Sequence, residues 1–249
     1  MNPSHIASLT LALAMIAPVA SHANLSVYSQ NFEGLNALDP DALNGNGWQI
    51  YAGVYSPDGS TFLYGYGAFP APNGDLAFSR IGSGYGGPGQ GLQQLVVYND
   101  YNNSSAHLSG QRVQANVFQV QPIGATDAGS TWRFEFDARF GELAPPGTAL
   151  AFVLTLDPAN NYAVTGMTTL DMSALPGAWG HYSITLPITV AAGQLLEFGF
   201  ANTTTHYQPS AVFYDNVSFA PVPEPSAGAL MLAGLGLAGL AARRRGSKT

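Results

Sequence analysis

Apolar and polar positions alternate most sharply over residues 132–139. Trp132, Phe134, Phe136 and Ala138 alternate there with Arg133, Glu135, Asp137 and Arg139. A period of two predicts a strand with the first set on a core face and the charged set on the other. Residues 150–156 form a continuous apolar run, the pattern of a strand buried on both faces. Further strands are predicted over 26–32, 48–55, 93–98, 112–121, 162–171, 179–188 (Ile184 and Leu186 inward), 195–201 and 212–219. Residues 36–47 read as turns, because Asp39-Pro40, Asn44-Gly45 and Asn46-Gly47 are strong turn dipeptides. Residues 99–105 read as another turn. Glycine and proline crowd residues 56–91, so no helix runs through them, and a single strand is expected at 76–81. Short strands, frequent turns and no helical period before the C-terminal tail predict an all-β sandwich of jelly-roll type. No fixed repeat runs along the chain, which argues against a propeller or solenoid.

Composition refines this picture. Only 9% of the residues are charged, against ~25% in ordinary soluble domains. Residues 24–220 carry four arginines, no lysine and 14 carboxylates. Such a surface repels phosphate backbones, so nucleic acid is excluded as a partner. The 249 residues include no cysteine, so stability rests on core burial or metal ions. The N-terminus is largely apolar from Ile6 to Ala20, with small residues at Ser21-His22-Ala23. It reads as a signal peptide, 1–23, removed by signal peptidase. Residues 24–220 are then one domain, large enough for a sizeable core.

The C-terminal stretch, 221–249, has three parts. Val222-Pro223-Glu224-Pro225-Ser226 is held extended by its prolines. Residues 227–242 contain only Ala, Leu, Gly and Met, a short membrane span of 16 residues. Arg243, Arg244 and Arg245 follow, and would stay cytoplasmic. This order and spacing resembles the PEP-CTERM sorting signal of Gram-negative bacteria. The resemblance implies a transient anchor in the inner membrane, an exosortase as partner, and delivery to the cell surface or extracellular space.

The body carries a second resemblance. Phe32-Glu33-Gly34, Gly47-Trp48 and Phe213-Tyr214-Asp215-Asn216-Val217-Ser218-Phe219 are similar to the first and last strands of galactose-binding-like jelly rolls, a group that includes many carbohydrate-binding modules. That resemblance implies a structural calcium ion at Glu33 and Asp215, with Asn31 and Asn216 as helpers. Independently, Asp215 lies within an apolar strand, where an unpaired charge is costly. Calcium, an arginine or backbone donors would each compensate it.

Catalytic signals are sparse. His107, His181 and His206 show no metal-binding spacing and read as surface residues. Glu135 and Asp137 share a strand face, which suits either glycoside hydrolysis or an alternating-charge solvated surface. The glycine-rich run 82–87 lacks a following helix and is no phosphate cradle. Trp48, Trp132 and Trp179 fall in strand patterns and are expected in the core. Loop tyrosines, above all Tyr64, Tyr66, Tyr85 and Tyr101, are the candidate sugar-stacking residues. The expected function is a non-catalytic, exported surface or matrix protein that binds extracellular polysaccharide in a biofilm. The alternatives are a glycoside hydrolase or lyase, or a self-associating surface subunit.

Overall fold

A computed structural model of the chain describes residues 24–73, 78–99, 104–205 and 209–223. The expected signal peptide, Tyr101, His206, Glu224 to Ser226, the apolar run and Arg243 to Arg245 lie outside these residues. Among the described residues, no helix is long and apolar enough to cross a membrane.

Among the described residues, twelve strands form two six-stranded antiparallel sheets in a jelly-roll sandwich. They are β1 (Tyr28–Gln30), β2 (Trp48–Tyr55), β3 (Phe62–Pro70), β4 (Ser79–Ser83), β5 (Gln93–Val97) and β6 (Arg112–Pro122). Then follow β7 (Thr131–Leu143), β8 (Thr148–Asp157), β9 (Ala163–Asp171), β10 (Gly180–Pro187), β11 (Leu195–Thr204) and β12 (Ser210–Pro221). Sheet A runs β10-β7-β12-β5-β4, with β1 added on β12; sheet B runs β3-β2-β6-β11-β8-β9. On one side β12 pairs with β7 along nearly its whole length. On its other side β5 covers Val212 to Tyr214, and β1 covers Val217 to Phe219. The bulge at Asp215 and Asn216 falls at the junction between those two neighbours.

The alternation over 132–139 has its expected outcome. Trp132, Phe134 and Phe136 are buried in the core between the sheets, and Glu135 and Asp137 are on the opposite face. Aromatic rings join the two sheets. Phe200 of β11 stacks on Tyr214 of β12 at 3.6 Å, and Phe198 stacks on Phe219 at 4.5 Å. Trp132 completes this ladder by stacking on Phe219 at 4.8 Å. Each such pair contributes ~0.5–1.5 kcal/mol beyond its buried area.

Three expectations need correction. The glycine-rich stretch after Ser56 is not irregular throughout, because β3 runs through it for nine residues. Its glycines are what let it pair. A Cβ on Gly65 would coincide with the ring of Tyr51, which lies across β3 from the neighbouring strand. Trp179 is not a core residue. It precedes β10 and donates its indole N–H to the Tyr85 carbonyl at 3.0 Å. The turn expected over 99–105 contains the start of a one-turn helix, α1 (Ser104–Leu108).

Trp132→Ala is expected to destabilise the fold by ~3–5 kcal/mol, through lost burial and the cavity left under Phe219. Equilibrium denaturation measures this, and a loss under about 1 kcal/mol would contradict the stacking role.

Candidate functional site

Two faces point away from the core, and they differ in chemistry. The outer face of sheet A is polar. Arg133 Nε lies 3.0 Å from Glu135 Oε1, close but out of line for a hydrogen bond. The β7–β10 register places His181 beside Asp137, with Nδ1 2.9 Å from Oδ1. The other Asp137 oxygen accepts from Gln90 at 2.8 Å and from the Asn216 amide at 2.7 Å. Burial pushes the Asp137 carboxyl up, but the bonds from Asn216, Gln90 and His181 outweigh it and hold it below the usual range. Arg139 donates to the Tyr85 carbonyl at 3.1 Å, and the Tyr85 ring packs on Phe213 at 4.5 Å.

Beside this cluster lies the β12 bulge. Asp215 is fully buried. Its Oδ1 accepts from the Asn216 backbone at 2.6 Å, and its Oδ2 has no hydrogen-bond partner. Burial first, then repulsion from Asp137 and Glu33, raises its pKa to about 7. Glu33 sits just after β1, where its Oε1 accepts the backbone N–H groups of Leu92 and Gln93, each at 2.7 Å. The resemblance-derived pair, Glu33 and Asp215, is therefore brought to one neighbourhood. Of the named helpers, Asn216 donates to Asp137 and to the Gly89 carbonyl, and Asn31 accepts from the Glu33 backbone at 3.4 Å. Phe32 and Asn216, next to the two acids, hold left-handed backbone at φ 61° and 47°. For a buried phenylalanine that conformation is strained.

The outer face of sheet B is apolar. Along β11, Leu196, Phe198 and Phe200 enter the main core, while Leu195 and Ala201 join a second cluster on the other face. Tyr51 of β2, Phe118 of β6 and Phe152, Leu154 and Leu156 of β8 complete that cluster. Val120, Leu150 and Tyr162 rim it, half-buried. Gly199 allows β6 to approach, since a Cβ there would fall 2.7 Å from Phe118 Cα. Glu197 lies on this face, opposite Val120 of β6 and Leu154 of β8. It is fully buried, and neither carboxylate oxygen has a partner. Burial pushes its pKa up to about 8. Asn116 Oδ1 and Gln114 Oε1, on the same face of β6, are also buried without a partner. All four orphan atoms are acceptors. Glu197 was not among the expected site residues. The signal that marks Asp215, an acid inside an apolar strand, marks Glu197 equally.

The candidate tyrosines do not converge. Tyr64 and Tyr66 lie on β3 at the edge of sheet B, with Tyr66 packed against the core, whereas Tyr85 lies over sheet A. At the C-terminal end, Val222 donates to the Thr131 carbonyl at 2.7 Å, and Pro223 has no N–H to extend the ladder.

Residues 221–245 match the PEP-CTERM protein-sorting motif. The motif thus begins at the last residue of β12. It marks an exported protein handled by an exosortase through a C-terminal membrane anchor. No curated protein matches the chain. Among solved structures, the enzymatically active domain of bacteriophage CBA120 tailspike protein 4 has a TM-score of 0.45 at 11% identity, covering 76% of this chain and 22% of that one. The chain thus spans about a fifth of the tailspike domain's length. TmCBM61, solved with β-1,4-galactotriose, has a TM-score of 0.38 at 11% identity, covering 76% and 99%. The C-terminal family 22 carbohydrate-binding module of Clostridium thermocellum Xyn10B has a TM-score of 0.38 at 16% identity, covering 82% and 96%.

Two acids whose pKa burial raises, Asp215 and Glu197, set the pH dependence of stability. Asp215 titrates near 3.8 when unfolded and near 7 when folded, so unfolding releases a proton between those values. Stability is present below that window, falls as pH rises through it, and levels off above. Glu197 acts with the same sign and extends the fall to about pH 8. Asp137, held low, acts with the opposite sign only below its unfolded value of 3.8. In chelator-treated buffer, denaturation should show a less stable protein at pH 8 than at pH 5. Asp215→Asn should shrink that difference, and adding Glu197→Gln should abolish it. A stability that rises from pH 5 to pH 8 would contradict both assignments.

Proposed function

We propose that this is a non-catalytic, exported surface or matrix protein of a Gram-negative bacterium that binds extracellular polysaccharide through aromatic rings on β3, the edge strand of sheet B. The carrying observation is that Tyr64 and Phe69 of that strand stand exposed, with Leu63 exposed beside them. Tyr64 and Phe69 supply flat apolar area of the kind that sugar C–H surfaces stack on. The non-catalytic part is supported by the other acid pair. Glu135 and Asp137 are each tied to neighbouring side chains on an open sheet face. The ligand in this reading is a polysaccharide of the biofilm around the cell. Affinity electrophoresis of the full chain through gels containing neutral plant and bacterial polysaccharides tests the reading. Retardation that Tyr64→Ala reduces at least about tenfold is expected. No retardation in any gel, or retardation untouched by Tyr64→Ala but lost with Tyr85→Ala, would overturn it.

A calcium clip at the strand junction belongs to the same proposal. The buried, partnerless Oδ2 of Asp215 fits a cation, because an unpaired carboxylate in that setting is costly. Glu33 and Asp215 would hold the ion. Among the described residues no three His, Cys, Asp or Glu side chains converge on one point, so backbone carbonyls and water would complete the shell. Calcium would neutralise the acids and tie the end of β1 to β12, stabilising the fold by mass action. Excess calcium should raise the melting temperature over chelator, at ~2–4 °C per kcal/mol for a chain of this size. An equal melting temperature in both would reject the clip, and a gain that survived Asp215→Asn would reject its location.

Processing completes the proposal. Protein released from the cell surface should lack residues beyond about Ser226. Intact-mass measurement checks this, and retention of Arg243 to Arg245 in the released form would contradict it.

A further inference from the structure

Sheet B ends in two edge strands, β3 and β9, and sheet A in β4 and β10. An edge strand offers unpaired backbone N–H and C=O groups to any second strand, and folds blunt such edges with short strands, bulges, prolines and charges. Three of these four edges carry such devices. β3 has two breaks in its register with β2 and closes on Pro70. β4 is five residues long and presents an exposed Arg80. β10 closes on Pro187 and carries His181, held beside Asp137.

β9 is left open. Among the described residues β8 is its single strand neighbour. Its one register break lies at Thr165, and from Gly166 to Asp171 the ladder with β8 is regular. Ala163 to Leu170 include no charged residue and no proline. Val164, Thr165, Met167 and Thr169 are exposed along it. Asp171, the last residue, is engaged within its own chain, where Oδ1 accepts the Ser173 N–H at 2.8 Å.

We propose that β9 pairs with β9 of a second copy of this chain about a two-fold axis, joining the two B sheets into one antiparallel sheet. Directly opposite residues share a face and side chains alternate, so a two-fold pairing that keeps both core faces on one side is centred on a residue. Centring on Thr168 sets Met167 opposite Thr169 of the second copy and Gly166 opposite its Leu170, with no charge in the paired stretch. Centring on Thr169 would set apolar Met167 opposite a charged Asp171, so the first register fits better. So short a ladder buries less than the ~1,200 Å² of a stable interface, and the dimer therefore forms and parts with concentration.

The sheet order gives this pairing a use. β3 and β9 stand at opposite ends of sheet B, so a β9 dimer carries its two β3 edges at the far ends of twelve strands. At ~4.8 Å per strand they lie ~50 Å apart. Each dimer then holds two polysaccharide chains at once and cross-links them. The cross-linking role rests on the β3 reading above; the pairing does not.

Sedimentation of the full chain in detergent, without polysaccharide, provides the test. The parent should pass from monomer to dimer over about a hundredfold rise in concentration. Added salt should tighten the dimer, because residues 24–220 of each copy carry ten more acids than bases. Met167→Asp with Thr169→Asp sets acid opposite acid and should weaken the dimer at least about tenfold. Met167→Lys with Thr169→Asp sets opposite charges face to face and should restore it. Both positions are exposed, so each variant should melt with the parent. Should the acid pair not fold, Thr169→Asp alone, which sets a charge opposite Met167, decides by the same loss. A monomer at every concentration, a dimer untouched by the acids, or one that the opposite charges fail to restore would each overturn the inference. Loss of the dimer with Tyr64→Ala would place the contact on β3 and also overturn it. If the dimer behaves as expected in a chain that no polysaccharide retards, the pairing stands and the cross-linking role falls with the β3 reading.

Discussion

Sheet B is apolar on both faces, and much of the structure follows from that constraint. Along β11 the inward residues complete the sandwich core, while Leu195 and Ala201 complete a second cluster on the far side. A strand of this kind has no solvated face on which to carry a charge. The carboxyl of Glu197 is therefore forced among apolar neighbours and held near pH 8 rather than in its ordinary range. The same constraint requires Gly199, because β6 and β11 approach too closely for a side chain there. It also leaves Asn116 and Gln114 with acceptors that nothing on the sheet satisfies.

Sheet A resolves its polar residues differently. Its outer acids are matched by neighbours: Arg133 at Glu135, and His181, Gln90 and Asn216 at Asp137. The exception is Asp215, where β12 bulges between β1 and β5. There Asp137 and Glu33 repel the Asp215 carboxyl, and one Asp215 oxygen is left without a partner. Among the described residues, Asp215 and Glu197 are the acids with a buried, partnerless oxygen, one in a polar junction and one on an apolar floor. The proposed clip at Asp215 and the proposed binding edge on β3 therefore answer to different substitutions. The sorting motif is set apart from both. It leaves β12 at Pro221, where Pro223 ends the hydrogen-bonded ladder.

Strands with a strict period were legible in the amino-acid pattern. β7 has one wet and one dry face, and β8 has two dry ones, so their roles follow from side-chain polarity alone. β3 was not legible, because Phe-Leu-Tyr-Gly-Tyr-Gly-Ala-Phe has the composition of a loop. What makes it a strand is a contact with another strand, the ring of Tyr51 lying over Gly65. Trp179 was misplaced for a similar reason, since its indole is captured by a carbonyl 94 residues away in sequence. The pairing of His181 with Asp137 depends on the β7–β10 register, which no local pattern contains. Asp215 stood out as an acid in an apolar strand. Glu197 carries the same mark, and its significance emerges only once both faces of β11 are known to be buried.

The central question is which exposed rings meet a ligand. Aromatic NMR signals separate the candidates directly. Titration of the isotope-labelled chain with an oligosaccharide of the polysaccharide that retards it should shift the ring signals of Tyr64 and Phe69 on β3. Tyr85 and Trp179, over sheet A, should stay unchanged. Shifts confined to Tyr85 and Trp179, with the rings of β3 unmoved, would contradict the proposed binding edge.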